Sequence, residues 1–95
     1  MMLTASATCR TAHASRYLQQ LCKHFSHRVQ VAFDQQNGSC QFSCGAAEMK
    51  ADDNALRITV SADDAENLIQ TKDVVESHLL RFAFRENLPP LAWTA

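Results

Sequence analysis

The chain has 95 residues with nine Lys and Arg, ten Asp and Glu and a formal charge of -1. That length holds one domain whose core buries roughly 60 to 65% of the unfolded surface without obligatory disulfides or metal, and it excludes large catalytic scaffolds. A pI near 6.4 supplies no general attraction to nucleic acid or to anionic lipid.

Charge is unevenly placed along the sequence. Residues 1–33 contain Arg10, Arg16, Lys23 and Arg28 and no acid, whereas nine of the ten carboxylates fall between Asp34 and Glu76. This reads as two solvated faces of opposite sign. The first residues, Met1 to Ser6, carry neither a basic n-region nor a sustained apolar run, so neither a signal peptide nor a membrane span is expected and the location is expected to be cytoplasmic. The four cysteines are spaced by 13, 18 and 4 residues, which matches no zinc ribbon or Cys-x-x-Cys pattern. Free thiols are expected in a reducing compartment.

In chain order, Leu3, Ala5, Ala7 and Cys9 alternate with Thr4, Ser6, Thr8 and Arg10, the pattern of a half-buried strand. Ala14, Tyr17, Leu18, Leu21, Cys22 and Phe25 then recur at helical spacing, predicting a helix over about 14–26. From Arg28 to Ser61 the sequence predicts a four-stranded meander. Asn37-Gly38 is a type I′ turn signal that sets Phe33 opposite Phe42 and Val31 opposite Cys44. Gly45-Ala46 suits a type II′ turn that sets Cys44 opposite Ala47 and Phe42 opposite Met49. A last loop at Asp53-Asn54 pairs Met49 with Ile58, Ala51 with Leu56 and Ala47 with Val60. These loops agree on one apolar face, which includes Val29, Val31, Phe33, Cys40, Phe42 and Cys44, and a one-residue slip would turn a strand inside out.

Ser61 and Asp64 predict a capping box for a long second helix with the stripe Ala65, Leu68, Ile69, Val75, Leu79, Phe82 and Ala83, and Lys72 at its margin. Pro89-Pro90 closes the helical region, and Leu91-Ala92-Trp93 is expected to fold back over Phe84 and cover Val74. The order is β-α-β-β-β-β-α, an α+β fold with one antiparallel sheet and two helices on one face, TATA-binding-protein-like or half a helix-grip cup. The opposite face shows Thr4, Ser6, Thr8, Arg28, Gln30, Gln41, Ser43, Glu48, Lys50, Arg57 and Thr59. It has no aromatic on which a base could stack, and no nucleic acid or membrane partner is expected.

Chemistry-bearing residues gather on the helices. His24 and His27 are neighbours at i and i+3, with Gln20 and Arg16 continuing that edge, and His78 on the second helix is a candidate further ligand; the sequence does not give whether the three meet in space. Cys22 sits about 160° around the helix from His24, too far to act with it as nucleophile and base. Cys9, Cys22, Cys40 and Cys44 read as buried, inert thiols. Asp52-Asp53-Asn54 lacks the oxygens for calcium and reads as a turn.

The segments Arg16-Tyr17-Leu18-x-x-Leu21-Cys22-Lys23-His24-Phe25-x-His27 and Asp73-Val74-Val75-x-x-His78-Leu79-x-Arg81-Phe82-Ala83-Phe84-Arg85-Glu86 resemble a bacterial family of short proteins known only as a domain of unknown function, and the likeness runs to Trp93. Members occur fused to siderophore-interacting flavoproteins, so the resemblance implies a tie to iron handling; it implies no catalytic residue. Some relatives carry the label dihydroxyheptenedioate aldolase, an activity of barrels of about 250 residues, for which this chain is too small. Cys40, Cys44 and the Ser43-Cys44-Gly45 turn depart from the family pattern, which weakens any cysteine-centred role.

Three functions follow. The first is a non-catalytic module, with no cofactor, that binds a small molecule or protein partner through Arg16, Gln20, His24, His27, His78 and Arg85. A second is a metal-dependent or histidine-based enzyme using His24, His27 and His78. The third is a homodimerisation domain using Val74, Phe84 and Trp93.

Overall fold

The computed structural model describes residues 2–83 and 91–94. Its elements are β1 (Leu3–Arg10), α1 (Ala14–Phe25), β2 (Gln30–Phe33), β3 (Asn37–Gln41), β4 (Ala46–Ala51), β5 (Ala55–Ala62) and α2 (Ala65–Phe82). The five strands form one antiparallel sheet in the order β1-β5-β4-β3-β2. The α+β order expected from the sequence is the one observed. α1 packs over β2, β3, β4 and β5, while α2 packs over β5, β1 and β4 and also meets α1.

The strict alternation of β1 buries Ala5, Ala7 and Cys9 and exposes Thr4, Ser6, Thr8 and Arg10. On α1 all six residues of the apolar stripe are buried, and Leu18, Leu21, Leu56, Ile58, Val60 and Leu79 form the centre of the shared core with no exposed surface. Burying a side chain of this size contributes about 1.5 to 3 kcal/mol, so six such residues outweigh any single turn or cap. That weight fixes which face of each strand is inward.

The predicted register holds for the last hairpin, where Met49 pairs Ile58, Ala51 pairs Leu56 and Ala47 pairs Val60. It fails for the two before it. Val31 pairs Cys40 rather than Cys44 and Phe33 pairs Gly38 rather than Phe42, so the loop is Gln35-Gln36 and not Asn37-Gly38. Gly38 pairs Met49 and Cys40 pairs Ala47, so the next loop is Ser43-Cys44 and not Gly45-Ala46, closed by the Phe42 N–H on the Gly45 carbonyl at 2.7 Å.

Aspartate chemistry explains the first shift. Asp34 Oδ1 accepts from the backbone N–H groups of Gln36 and Asn37 at 2.8 and 2.7 Å. Asp52 Oδ1 does the same for Asn54 and Ala55, both at 2.8 Å. These are two Asx turns with the acid at the first turn position. The β2–β3 loop is further tied down by Ser15 Oγ, which donates to the Gln35 carbonyl at 2.6 Å, and by the Ala51 N–H on the Gln36 carbonyl at 2.8 Å.

Both glycines serve close packing. A Cβ on Gly38 would lie 2.7 Å from Cys22 Sγ, because α1 rests directly on β3. At Gly45 a Cβ would collide with the Ser61 carbonyl and sit 2.6 Å from Thr71 Oγ1. Each loop moved by two residues, which preserves the inward face: Cys40 is buried and Phe42 packs on the core. Phe33 is the exception at 40% exposure, since β2 is an edge strand. Cys44 falls in a turn and is only partly covered, while Arg28 and Ser43 lie in turns rather than on the outer face of a strand.

The second helix starts one turn later than the predicted capping box. β5 continues through Ala62, pairing Ser61 with Thr4, and Asp64 is the N-cap whose carboxylate accepts from the Asn67 N–H at 2.8 Å. Its inward line is Thr71, Val75 and Leu79, and Ile69 is 64% exposed with Ala65 also outside. Thr71 tolerates full burial because its hydroxyl donates to the Asn67 carbonyl at 2.8 Å and lies 3.2 Å from Cys44 Sγ.

The tail closes the β1 edge. Trp93 Nε1 and the Leu91 N–H donate to the two oxygens of Glu76 at 2.8 and 3.2 Å, and Thr94 exchanges backbone hydrogen bonds with Ser6 at 2.7 and 2.8 Å. Val74 is two residues and so about 200° of helix away from Glu76, the residue on which the described part of the tail is fastened. Phe84 and the Pro89-Pro90 stop lie outside the described residues. None of the described helices is long and apolar enough to cross a membrane.

Candidate functional site

The seam between the ends of α1 and α2 carries the candidate site. His24 comes from the last turn of α1 and His78 from about one turn before the end of α2, and their ring centroids are 4.9 Å apart. Phe25 stands edge-on to His78 at 5.1 Å and to Phe42 at 4.9 Å, and Phe82 stands edge-on to His24 at 5.7 Å. Aromatic and imidazole rings thus form a continuous wall.

α1 ends in a tight turn in which the Ser26 N–H bonds to the Cys22 carbonyl, the His27 N–H to the His24 carbonyl, and the Arg28 and Val29 N–H groups to the Phe25 carbonyl. This satisfies the last carbonyls of the helix and throws His27 and Arg28 forward over the seam. The resulting cleft has a volume of about 530 Å³ and is lined by His24, Phe25, His27, Arg28, Val29, Phe42, Val74 and His78. Val29, Phe42 and Val74 are its apolar floor.

His78 Nδ1 lies 2.7 Å from the Val74 carbonyl one turn earlier. A carbonyl only accepts, so Nδ1 carries the proton and donates, leaving Nε2 with the lone pair in the neutral ring. His24 is held below the ordinary histidine value, first by partial desolvation and then by the positive charges of His78, His27, Arg28 and Arg81. Among the described residues every charged neighbour that acts on it is a base.

The sequence grouped Arg16, Gln20, His24, His27, His78 and Arg85. The structure brings His24, His27 and His78 to one cleft, while Arg16 and Gln20 line a separate hollow with His13, Ser15, Gln19 and Lys23. Eight residues separate Arg16 from His24, about 12 Å along the axis and roughly 80° around it, so the two open to different sides. Arg85 lies outside the described residues. Arg28, assigned by the sequence to the outer sheet face, belongs to the cleft because the turn after α1 delays β2 until Gln30. Its sequence signal was the basic trio Arg16, Lys23 and Arg28, which could draw an anionic ligand to the end of the first helix but reads first as a solvated basic face.

Among the described residues no three His, Cys, Asp or Glu side chains are grouped to hold a metal ion. The Cys22 and Cys40 thiols are buried against one another beneath α1; their hydrogen bond holds Cys22 below and Cys40 above the ordinary thiol value, and burial acts upward on both. They have no opening to the cleft lining.

A family profile described as "Uncharacterized protein conserved in bacteria (DUF2218)" matches residues 6–94. The NMR structure of PA4090 from Pseudomonas aeruginosa is similar to this chain at 30% identity and a TM-score of 0.80, over 96% of this chain and 94% of that one. No protein of curated function matches the sequence.

Proposed function

From the premise that the chain belongs to the DUF2218 family of uncharacterised bacterial proteins, we propose that it is a non-catalytic binding module that takes a small organic molecule in the cleft between α1 and α2. The observation that carries this reading is the His24–His78 pair at 4.9 Å, set in an aromatic wall above an apolar floor. A cleft of about 530 Å³ with few polar groups over apolar walls has the size and lining of small-molecule sites. His24, His27, Arg28 and His78 orient the ligand, and Phe25, Phe42 and Val74 bury it. The tie to iron handling rests on the resemblance of the two helical segments to proteins fused to siderophore-interacting flavoproteins, and it selects the first compounds to try.

Thermal-shift screening of the whole chain against ferric siderophores, flavins and free metals, repeated on His24→Ala and His78→Ala, tests the reading. A ligand-dependent rise in Tm that disappears in both variants is expected. The same rise in both variants would move the site elsewhere on the molecule.

One observation favours the second reading, a histidine-based enzyme. The Val74 carbonyl fixes the tautomer of His78 and leaves Nε2 free as a base. Recovery of a chemically altered ligand from the titrated protein, absent with His78→Ala, would support it over simple binding.

A further inference from the structure

We infer that the cleft selects a planar organic anion, an aromatic or heteroaromatic carboxylate, whose ring lies against Phe25, Phe42 and Val74 and whose charge meets His24, His27, Arg28 and His78. This rests on the binding reading above and goes further by fixing ligand charge and shape.

Charge is the first argument. The chain has more acids than bases, ten against nine, yet among the described residues every ionisable side chain lining this cleft is a histidine or an arginine. Lys23, His24, His27, Arg28, His78 and Arg81 are the basic groups on the α1 end, its following turn and the facing part of α2. The carboxylates on that part of α2 are Asp73, which is exposed and does not line the cleft, and Glu76, whose two oxygens hold the Trp93 indole and the Leu91 N–H. A site of this composition favours negative charge, and Arg28 presents the planar fork suited to a carboxylate.

Shape is the second argument. The edge-on contacts Phe25–Phe42, Phe25–His78 and His24–Phe82 line up ring edges and faces along one wall, which suits a flat partner better than a branched aliphatic one. A proton completes the argument. In the free protein partial desolvation and then the positive neighbours hold His24 toward its neutral form. A bound carboxylate reverses that balance, so binding takes up a proton and tightens as pH falls through the histidine range.

The test is a 15N–1H NMR titration of the full chain with 2-naphthoate, its neutral amide 2-naphthamide and cationic 2-naphthylmethylamine, each at about pH 6 and about pH 8, which bracket the ordinary histidine value. Naphthoate should shift the backbone signals of His24, His27, Arg28 and His78 and bind about tenfold more tightly than the amide, the difference between a charge-assisted and a neutral hydrogen bond. Its affinity should rise at the lower pH, and Arg28→Gln, an exposed turn substitution that leaves the core intact, should remove the preference for the anion. Equal or tighter binding of the amide or the amine at these residues would overturn the anion inference and leave the binding module standing. Binding of none of the three would overturn both.

Discussion

Asp34 and Asp52 are exposed acids on which hydrogen bonds act first: two backbone N–H groups on each carboxylate hold both below the ordinary carboxylate value, and the Arg57 charge adds to the effect at Asp52. A folded-state value below the unfolded one means that each contribution is complete above the ordinary carboxylate range and disappears as pH falls through the lowered value. Urea denaturation of Asp34→Asn and Asp52→Asn across the acid range should therefore give shallower acid-side losses than the parent. His24 has the same sign. The unfolded chain takes up its proton first, near pH 6.5, so stability associated with His24 is complete above that value and declines as pH drops toward the lowered one. His24→Gln should flatten that part of the profile, and an unchanged slope would show that neither desolvation nor the positive neighbours lower His24. The two glycines make a further residue-scale prediction. Gly45→Ala should destabilise by about 1 to 3 kcal/mol because a fixed β5 carbonyl blocks it, and Gly38→Ala by less because the Cys22 side chain can turn.

Among the elements, the hairpins explain what could be read in advance and what could not. Inward and outward parity follows from apolar alternation, which is a property of each strand, and this survived two wrong loops because both erred by an even number of residues. Loop position depended on Asn37-Gly38 and Gly45-Ala46, where glycine reported the nearness of α1 and β5 instead of a turn. The aspartates were the better guide, as Asp52 in the correctly placed hairpin and Asp34 in the displaced one hold the same position. α2 shows the same competition: a polar Thr71 took the inward place that Ile69 was expected to hold, because a helix carbonyl satisfies its hydroxyl. Replacing the real N-cap, Asp64→Ala, should cost about 1 kcal/mol, whereas Ser61→Ala should leave the helix end unaffected in thermal unfolding.

Considered as one molecule, the chain separates its stability from its candidate site. Leu18→Ala, in the buried centre, should cost about 2 to 5 kcal/mol by chemical denaturation, while substitutions at exposed His27 and Arg28 should change it little. That His24 and His78 sit at the helix seam was legible because each flanks an apolar stripe and both stripes roof the same sheet; that their rings meet was not. The place of Arg28 was not, since it depends on a turn whose geometry is set by the carbonyls of α1. Arg16 and Gln20 show the opposite failure, in which residues on one helix were grouped despite the distance along its axis. Everything proposed for the cleft requires the two imidazoles to face each other at the seam. Proton NMR of the histidine rings is the direct measurement: the account predicts an Overhauser contact between the His24 and His78 rings, and a His24 titration midpoint below the ordinary value that moves back up in His78→Gln. No contact between the rings, with His24 titrating at the ordinary value in both proteins, would contradict it.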